Sequence, residues 1–170
     1  MTRINHRINF LLILLLLPFS NYSCSDNLSS SVQPDEVKLI YSTKIGWDVY
    51  KEGDKLGEKI IVYFNGKVEK YTRYYKLQDV LIKTSRISIS EINNLNNLFA
   101  EFNFNEYPNI LPSTNQIHWP SSGCFISFSQ SVLEQVKEVS VIAFEDSKYY
   151  PNGFYQFLEK LKEKLNSFIN

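Results

Sequence analysis

The sequence predicts an α+β domain, with an antiparallel sheet of four to six strands arranged as two hairpins and two helices packed against it. Three observations predict this fold class. Two runs rich in β-branched and aromatic residues flank Asn65-Gly66, a pair suited to a two-residue type I′ turn. Two later runs alternate between apolar and polar residues, as half-buried strands do. Two further segments carry apolar residues at the spacing of an amphipathic helix.

The first hairpin covers residues 58–75. With Asn65 and Gly66 as the two turn residues, the expected cross-strand pairs are Phe64 with Lys67, Val62 with Glu69, and Ile60 with Tyr71. This register places Tyr71 on the face of Ile60 and Val62. The tyrosines of the hairpin either pack beneath a helix, which we expect, or form an exposed aromatic patch.

The remaining strands are predicted from composition and alternation. Residues 37–43, 45–51 and 78–83 are expected to be strands, and residues 124–129 and 138–144 are expected to form the second hairpin. Residues 105–123 contain three prolines and are expected to be one long irregular loop.

Both helices have clear sequence signals. Ser88 and Glu91 form a capping box at the start of a helix predicted over residues 88–101. After Gly153 a second helix is predicted from its apolar stripe, which consists of Phe154, Phe157, Leu158, Leu161, Leu165 and Phe168.

The N-terminal segment has the pattern of a secretion signal. Arg3 and Arg7 precede an unbroken apolar run, Phe10 to Leu17, which is too short to span a bilayer comfortably. We expect residues 1–23 to be a signal peptide. Residues 24–36 are polar and rich in Ser, as flexible tethers are, and residues 37–170 are expected to be a single globular domain.

The segment around Cys24 resembles the processing site of bacterial lipoproteins, because the small residue Ser23 precedes the cysteine and Ser25 follows it. The resemblance implies that Cys24 becomes the first mature residue and carries lipid, which would anchor the protein to a membrane. Asn21 and Tyr22 depart from the usual pattern. Ordinary secretion with cleavage after Ser25 is the alternative.

Composition and motifs argue against several kinds of function. The chain has 18 basic and 18 acidic side chains and no long basic run, which argues against nucleic acid as a partner. Without residues 1–23, His118 is the only histidine, so no multi-histidine metal site is expected. No cofactor motif and no catalytic residue is predicted. Cys124 begins an alternating apolar run and is expected to be a small core side chain.

The sequence favours a binding role over catalysis. The loop residues Trp119, His118 and Tyr107 are the candidate binding residues, although Trp119 is expected more strongly to cover one end of the sheet. We expect a non-catalytic, exported and lipid-anchored module of the cell envelope that binds or inhibits an envelope or secreted protein. The alternatives are a small secreted hydrolase that uses His118 and a purely structural envelope component.

Overall fold

Within the residues that the structure describes, two helices accompany a seven-stranded sheet. The computed structural model describes residues 35–45, 50–111, 122–142 and 150–170. The helices are α1 (Ile89–Glu101) and α2 (Phe154–Ile169). The strands are β1 (Val37–Lys44), β2 (Lys55–Tyr63), β3 (Lys67–Tyr74), β4 (Val80–Arg86), β5 (Ile110–Leu111), β6 (Gly123–Phe128) and β7 (Lys137–Val141). Their order in the sheet is β4-β3-β2-β1-β6-β7-β5, which confirms the α+β class.

The predicted count of four to six antiparallel strands is wrong, because the sheet has a seventh strand that is parallel to its neighbour. Strand β5 pairs with β7 in parallel. The carbonyl oxygens of Asn109 and Leu111 accept hydrogen bonds from the amides of Ser140 (2.7 Å) and Ile142 (2.8 Å). A strand of two residues is too short to show the alternation of apolar and polar residues that identifies a strand. The sequence therefore did not predict β5, which lies within the loop expected over residues 105–123.

Several predicted segments lie partly or wholly outside the described residues. Residues 46–49 belong to the strand predicted over 45–51, and the described remainder, Ile45, Tyr50 and Lys51, is in no strand. Residues 1–34, which contain the predicted signal peptide and most of the predicted tether, are also outside the described part of the chain.

The β2–β3 hairpin has a register one residue away from the predicted one. The observed pairs are Val62 with Val68, Ile61 with Glu69, Ile60 with Lys70, and Lys59 with Tyr71. The amide of Gly66 donates to the carbonyl of Tyr63 (3.0 Å), and Gly66 alone of the Asn-Gly pair has positive φ, at 82°. The connection is therefore a three-residue loop with glycine in the left-handed position, and not a type I′ turn.

The observed register follows from burial. It brings Val68, which is 1% exposed, to the same side of the sheet as Val62, which is fully buried. Because side chains alternate along a strand, a shift of one residue exchanges the two faces of β3. Tyr71 therefore shares a face with Ile61 and Tyr63, and its predicted placement beside Ile60 and Val62 is wrong.

The structure confirms both predicted helices. At the start of α1, Ser88 Oγ accepts from the amide of Glu91 (3.3 Å), and Glu91 Oε2 accepts from the amide of Ser88 (2.7 Å). These reciprocal bonds satisfy two of the free donors of the first turn. In α2 the buried residues are the six of the predicted apolar stripe. Neither helix is long and apolar enough to cross a bilayer.

Aromatic rings fill the space between the helices and the sheet. The ring of Phe99 stacks on that of Phe128, with centroids 3.7 Å apart. Phe157 meets Phe99 edge to face at 5.1 Å. Such pairs add to the free energy of burial, by about 0.5–1.5 kcal/mol each.

The two described helices pack on the same face of the sheet. Val62 and Val68 belong to the same buried cluster as the apolar stripe of α2. At the end of α2, the carbonyl of Phe168 accepts a hydrogen bond of 2.5 Å from Ser85 Oγ, and Ser85 pairs with Val68. Tyr63 is buried but is not part of this core cluster. We call the face that carries Tyr63 and Tyr71 the open face, because neither described helix packs on it, although Tyr63 and Glu69 are themselves buried. Tyr63 and Tyr71 therefore do not belong to the cluster that packs beneath the two described helices.

Candidate functional site

Three of the four residues singled out from the sequence lie outside the described part of the chain. They are Cys24, His118 and Trp119, and their predicted roles stay predictions. Tyr107 is described and lies in the core, 6% exposed. Its ring packs edge to face against Phe104 (5.9 Å) and Phe154 (5.6 Å). The ring of Tyr107 is therefore not exposed for the binding role that the sequence predicts.

Cys124 is a buried core residue, as its place in an alternating run predicts. It is 5% exposed, and burial raises the pKa of its thiol to about 12. The thiolate is the nucleophilic form of cysteine, and at neutral pH almost none of it is present at this pKa. The position disfavours Cys124 as a nucleophile.

On the open face, four side chains form a hydrogen-bonded group that we call the tyrosine–glutamate cluster: Tyr63, Lys67, Glu69 and Tyr71. The hydroxyls of Tyr63 and Tyr71 each donate to Glu69 Oε2 at 2.7 Å. Lys67 Nζ lies 2.9 Å from Glu69 Oε1. Glu69 is 7% exposed, so its carboxylate is buried but fully partnered, as buried charges in proteins must be.

The cluster determines which protonation state of Glu69 is favoured. Burial raises the pKa of this carboxyl, but hydrogen bonds from Tyr71, Tyr63 and Lys67 outweigh it, so the pKa of Glu69 is lowered overall. Desolvation and the bond to Glu69 raise the pKa of Tyr63, so this phenol remains a donor throughout the physiological range. At neutral pH the cluster therefore holds one protonation state.

Lysine side chains hold both tyrosine rings in place. Lys67 Nζ lies 4.9 Å from the ring centroid of Tyr63, and Lys59 Nζ lies 4.8 Å from that of Tyr71. Lys59 also forms an ion pair with Asp79. These contacts restrict the rotamers of both rings, so their positions on the open face are defined before any partner binds.

Arg73 extends the cluster toward the middle of the sheet. Its Nη1 donates to Ser42 Oγ (2.7 Å) and to the carbonyl of Thr43 (3.3 Å). Its bonds therefore go to neutral groups, while Lys59 and Lys67 have carboxylates as partners. The guanidinium of Arg73 can therefore take a carboxylate from outside.

A buried lysine lies at the other end of β1. Lys38 is 1% exposed, and its Nζ donates to the carbonyls of Ser129 and Gln130, both at 3.1 Å. The ammonium lies 4.6 Å from the ring centroid of Phe64 and 5.0 Å from that of Phe128. Burial lowers the pKa of Lys38 to about 8. These contacts tie the loop that follows β6 to the first strand.

No described His, Cys, Asp or Glu side chains form a group of three or more that could hold a metal ion. The sequence matches no protein-family model and no curated protein.

Glu69→Gln should reduce stability and flatten its dependence on acid pH. A carboxyl with a lowered pKa stabilises the fold above its ordinary range and loses that contribution as the pH falls through the folded value. We expect the variant to be less stable by about 2 kcal/mol near neutral pH. The difference from wild type should shrink as the pH falls to about 4 or below, as measured by urea unfolding.

The matched control for this prediction is Glu58→Gln on the adjacent strand. The Glu58 side chain is 42% exposed and paired with Lys70 and Lys55, so the same substitution should change stability by less than about 1 kcal/mol. Equal effects of the two substitutions would show that the tyrosine–glutamate cluster contributes nothing particular to stability.

Proposed function

We propose that this protein is a non-catalytic binding module of the cell envelope, exported and anchored by lipid on Cys24, and that its open face binds an acidic protein surface. The observation that carries the proposal is the tyrosine–glutamate cluster beside Arg73, on a sheet face that neither described helix covers. Tyrosine and arginine are among the residues that contribute most to binding energy at protein interfaces.

Preorganisation supports a binding role for this face. Interface side chains that must be ordered on association cost about 0.5–1.5 kcal/mol each. Tyr63 and Tyr71 are already held by Glu69 and by the lysines over their rings, so little of this cost remains. A partner would meet the half-buried ring of Tyr71 with a guanidinium beside it, while Tyr63, which is 9% exposed, supports Glu69 from within.

The charges on the open face favour an acidic partner. Lys59 is paired with Asp79, and Lys67 is paired with both Asp35 and Glu69, while the guanidinium of Arg73 has only neutral acceptors. A carboxylate of the partner could form a bidentate pair with it, and pairs of this geometry are both strong and specific. A protein with surface Asp and Glu residues meets this requirement.

Arg73→Ala should weaken the partner's binding by about 2 kcal/mol or more, without loss of folding. The measurement is crosslinking of the intact protein in its native envelope, followed by quantification of the crosslinked protein and measurement of its affinity after purification. Lys83→Ala is the matched control, because Lys83 is a cation on β4 whose Nζ donates to the C-terminal Asn170. Its loss should leave the affinity unchanged.

The same experiment separates the alternatives. If His118→Ala abolishes function while Arg73→Ala leaves both function and partner unchanged, the hydrolase is favoured and the proposed surface is wrong. If no single protein is enriched by crosslinking and neither substitution has an effect, the structural role is favoured.

The proposed anchor has a test of its own. Cys24→Ser should abolish the incorporation of labelled fatty acid and release the protein from the membrane fraction, because several acyl chains together make anchoring stable. Cys124→Ser is the matched control and should retain the label, since the thiol of Cys124 is buried. Unlabelled wild-type protein in the soluble fraction would favour ordinary secretion after Ser25.

A further inference from the structure

Among the described residues, five exposed apolar side chains lie at one end of the sheet. A single row of paired residues marks this end, with Ser85, Val68, Val62, Leu39 and Phe128 as neighbours on successive strands. Beyond that row lie the start of β1, the start of α1 and the loop between β6 and β7. The five exposed side chains, which we call the apolar end, are Val37, Ile89, Val132, Leu133 and Val136.

Three of the five belong to the loop between β6 and β7. Leu133 is 96% exposed, and Val132 and Val136 are 44% and 55% exposed. Exposed apolar residues that occur singly need no explanation, whereas grouped ones mark surfaces that contact a protein or a membrane. The loop is therefore a candidate contact surface.

Hydrogen bonds fix the backbone of this loop. Ser129 Oγ donates to the carbonyls of Ser131 (2.5 Å) and Glu134 (3.5 Å), and the amide of Glu134 donates to the carbonyl of Ser131 at 3.2 Å. The buried Lys38 binds the carbonyls of Ser129 and Gln130. These bonds hold the loop against β1, while the side chain of Leu133 lies in solvent.

The chain enters the described part of the molecule at the same end. Asp35 is the first described residue, and its carboxylate accepts hydrogen bonds from Asn65 Nδ2 and Lys67 Nζ, both at 2.9 Å. Residues 24–34 separate it from Cys24, and eleven residues can span at most about 40 Å. An anchor on Cys24 would therefore bring this end to the membrane, because the opposite end of β1 lies about 25 Å further along the sheet.

We propose that the apolar end is a membrane-contacting surface and that Leu133 inserts into the interface of the bilayer that holds the anchor. This inference rests on the proposed lipidation of Cys24. Apolar side chains are stabilised when they leave water, and insertion by about 5–10 Å is typical of segments that lie in a bilayer interface. Contact through the end of the strands leaves the open face free for a protein partner.

The charges around the apolar end indicate the kind of lipid contact. They are mixed in sign and consist of Lys67, Arg86 and Lys137 together with Asp35, Glu36, Glu91 and Glu134. Attraction to anionic lipid requires a cluster of basic side chains. Insertion of apolar side chains therefore supplies the contact, and zwitterionic lipid is sufficient for it.

Orientation is measured on the full lipidated protein, labelled with ¹⁵N, in phosphatidylcholine nanodiscs that contain a lipid with a nitroxide on its head group. We expect the strongest broadening at the amides of residues 132–136, with Val37 and Ile89 also affected. The amides of Leu77 and Val80 should keep their intensity, since these exposed residues precede and begin β4 at the opposite end of the sheet. Broadening at that end instead, or at no amide, overturns the inference.

Leu133→Gln should reduce the broadening of the loop amides severalfold, because a polar side chain gains nothing from insertion. The variant should fold, since this side chain is in solvent. Leu77→Gln is the matched control and should leave the broadening unchanged, because Leu77 is also an exposed leucine outside the strands. Equal effects of the two substitutions, or none from Leu133→Gln, would contradict insertion of Leu133.

Failure of the anchor and failure of this surface give different results. Fatty-acid label on Cys24 without broadening of the loop means that the anchor is correct and the surface is wrong. If the protein carries no label, the secreted wild-type chain is titrated with phosphatidylcholine vesicles. Saturable shifts in residues 132–136, with binding roughly tenfold weaker in Leu133→Gln, then support the surface, and unchanged shifts overturn it.

Discussion

Phe157→Ala should lower the free energy of unfolding by about 3–5 kcal/mol, the range for truncation of a buried aromatic side chain. Phe157 is fully buried and lies between several rings of the core. Its centroid is 5.1 Å from that of Phe99 and 5.4 Å from that of Phe104. Truncation would leave a cavity bordered by rings that cannot collapse into it, because they are packed on the sheet. Urea unfolding monitored by circular dichroism measures the change.

Ile89→Ala is the control for this prediction. Ile89 is the first residue of α1 and is 77% exposed, so its truncation should change stability by no more than about 0.5 kcal/mol. A loss of less than about 1 kcal/mol in Phe157→Ala would contradict the tight packing of the aromatic core described above.

Gly123→Ala should destabilise the fold by about 3 kcal/mol, although it adds only a methyl group. A Cβ at Gly123 would lie 2.1 Å from the carbonyl oxygen of Val141. The obstacle is backbone of the neighbouring strand, since β6 pairs with β7 at Cys124 and Val141. One of the two strands must move, and the pairing at this end of the ladder would be lost.

Hydrogen exchange measures that loss directly, because amides of β6 and β7 should lose protection before those of the β2–β3 hairpin. Gly53→Ala is the matched control. Its added methyl group would approach only Leu77 Cδ1, at 3.7 Å, so the cost should be limited to the left-handed backbone, about 1–2 kcal/mol. Gly123→Ala with wild-type stability would show that β6 and β7 are further apart than described.

The helices could be predicted from sequence because their signals are local. The capping box of α1 needs only Ser88 and Glu91, and the stripe of α2 needs only spacing. The hairpin position was equally clear, but its register was not. Asn65-Gly66 fits a two-residue turn and also a three-residue loop with Gly66 alone at positive φ. The choice between them depends on which face of β3 buries Val68, and that depends on the position of distant helices.

The candidate site could not be predicted for the same reason, because it depends on the register of the β2–β3 hairpin. Tyr63 and Tyr71 are among the hairpin tyrosines, but the predicted register places these two on opposite faces of the hairpin. The observed register brings them together around Glu69. The burial of Lys38 could not be predicted from the sequence, because a lysine within a strand normally faces solvent. Its partners, the carbonyls of Ser129 and Gln130, follow it by about ninety residues.

The position of β1 in the sheet determines the order in which the chain can fold. Strands β1 to β4 pair with their neighbours in sequence, whereas the other edge of β1 pairs with β6. In a chain that emerges N-terminus first, the β1–β4 meander can form early, but β1 then has a free edge with Leu39 and Tyr41 beside it. Such an edge is a template for aggregation until residues 123–128 arrive. Completion of the sheet is thus the step at which folding of this protein competes with misassembly.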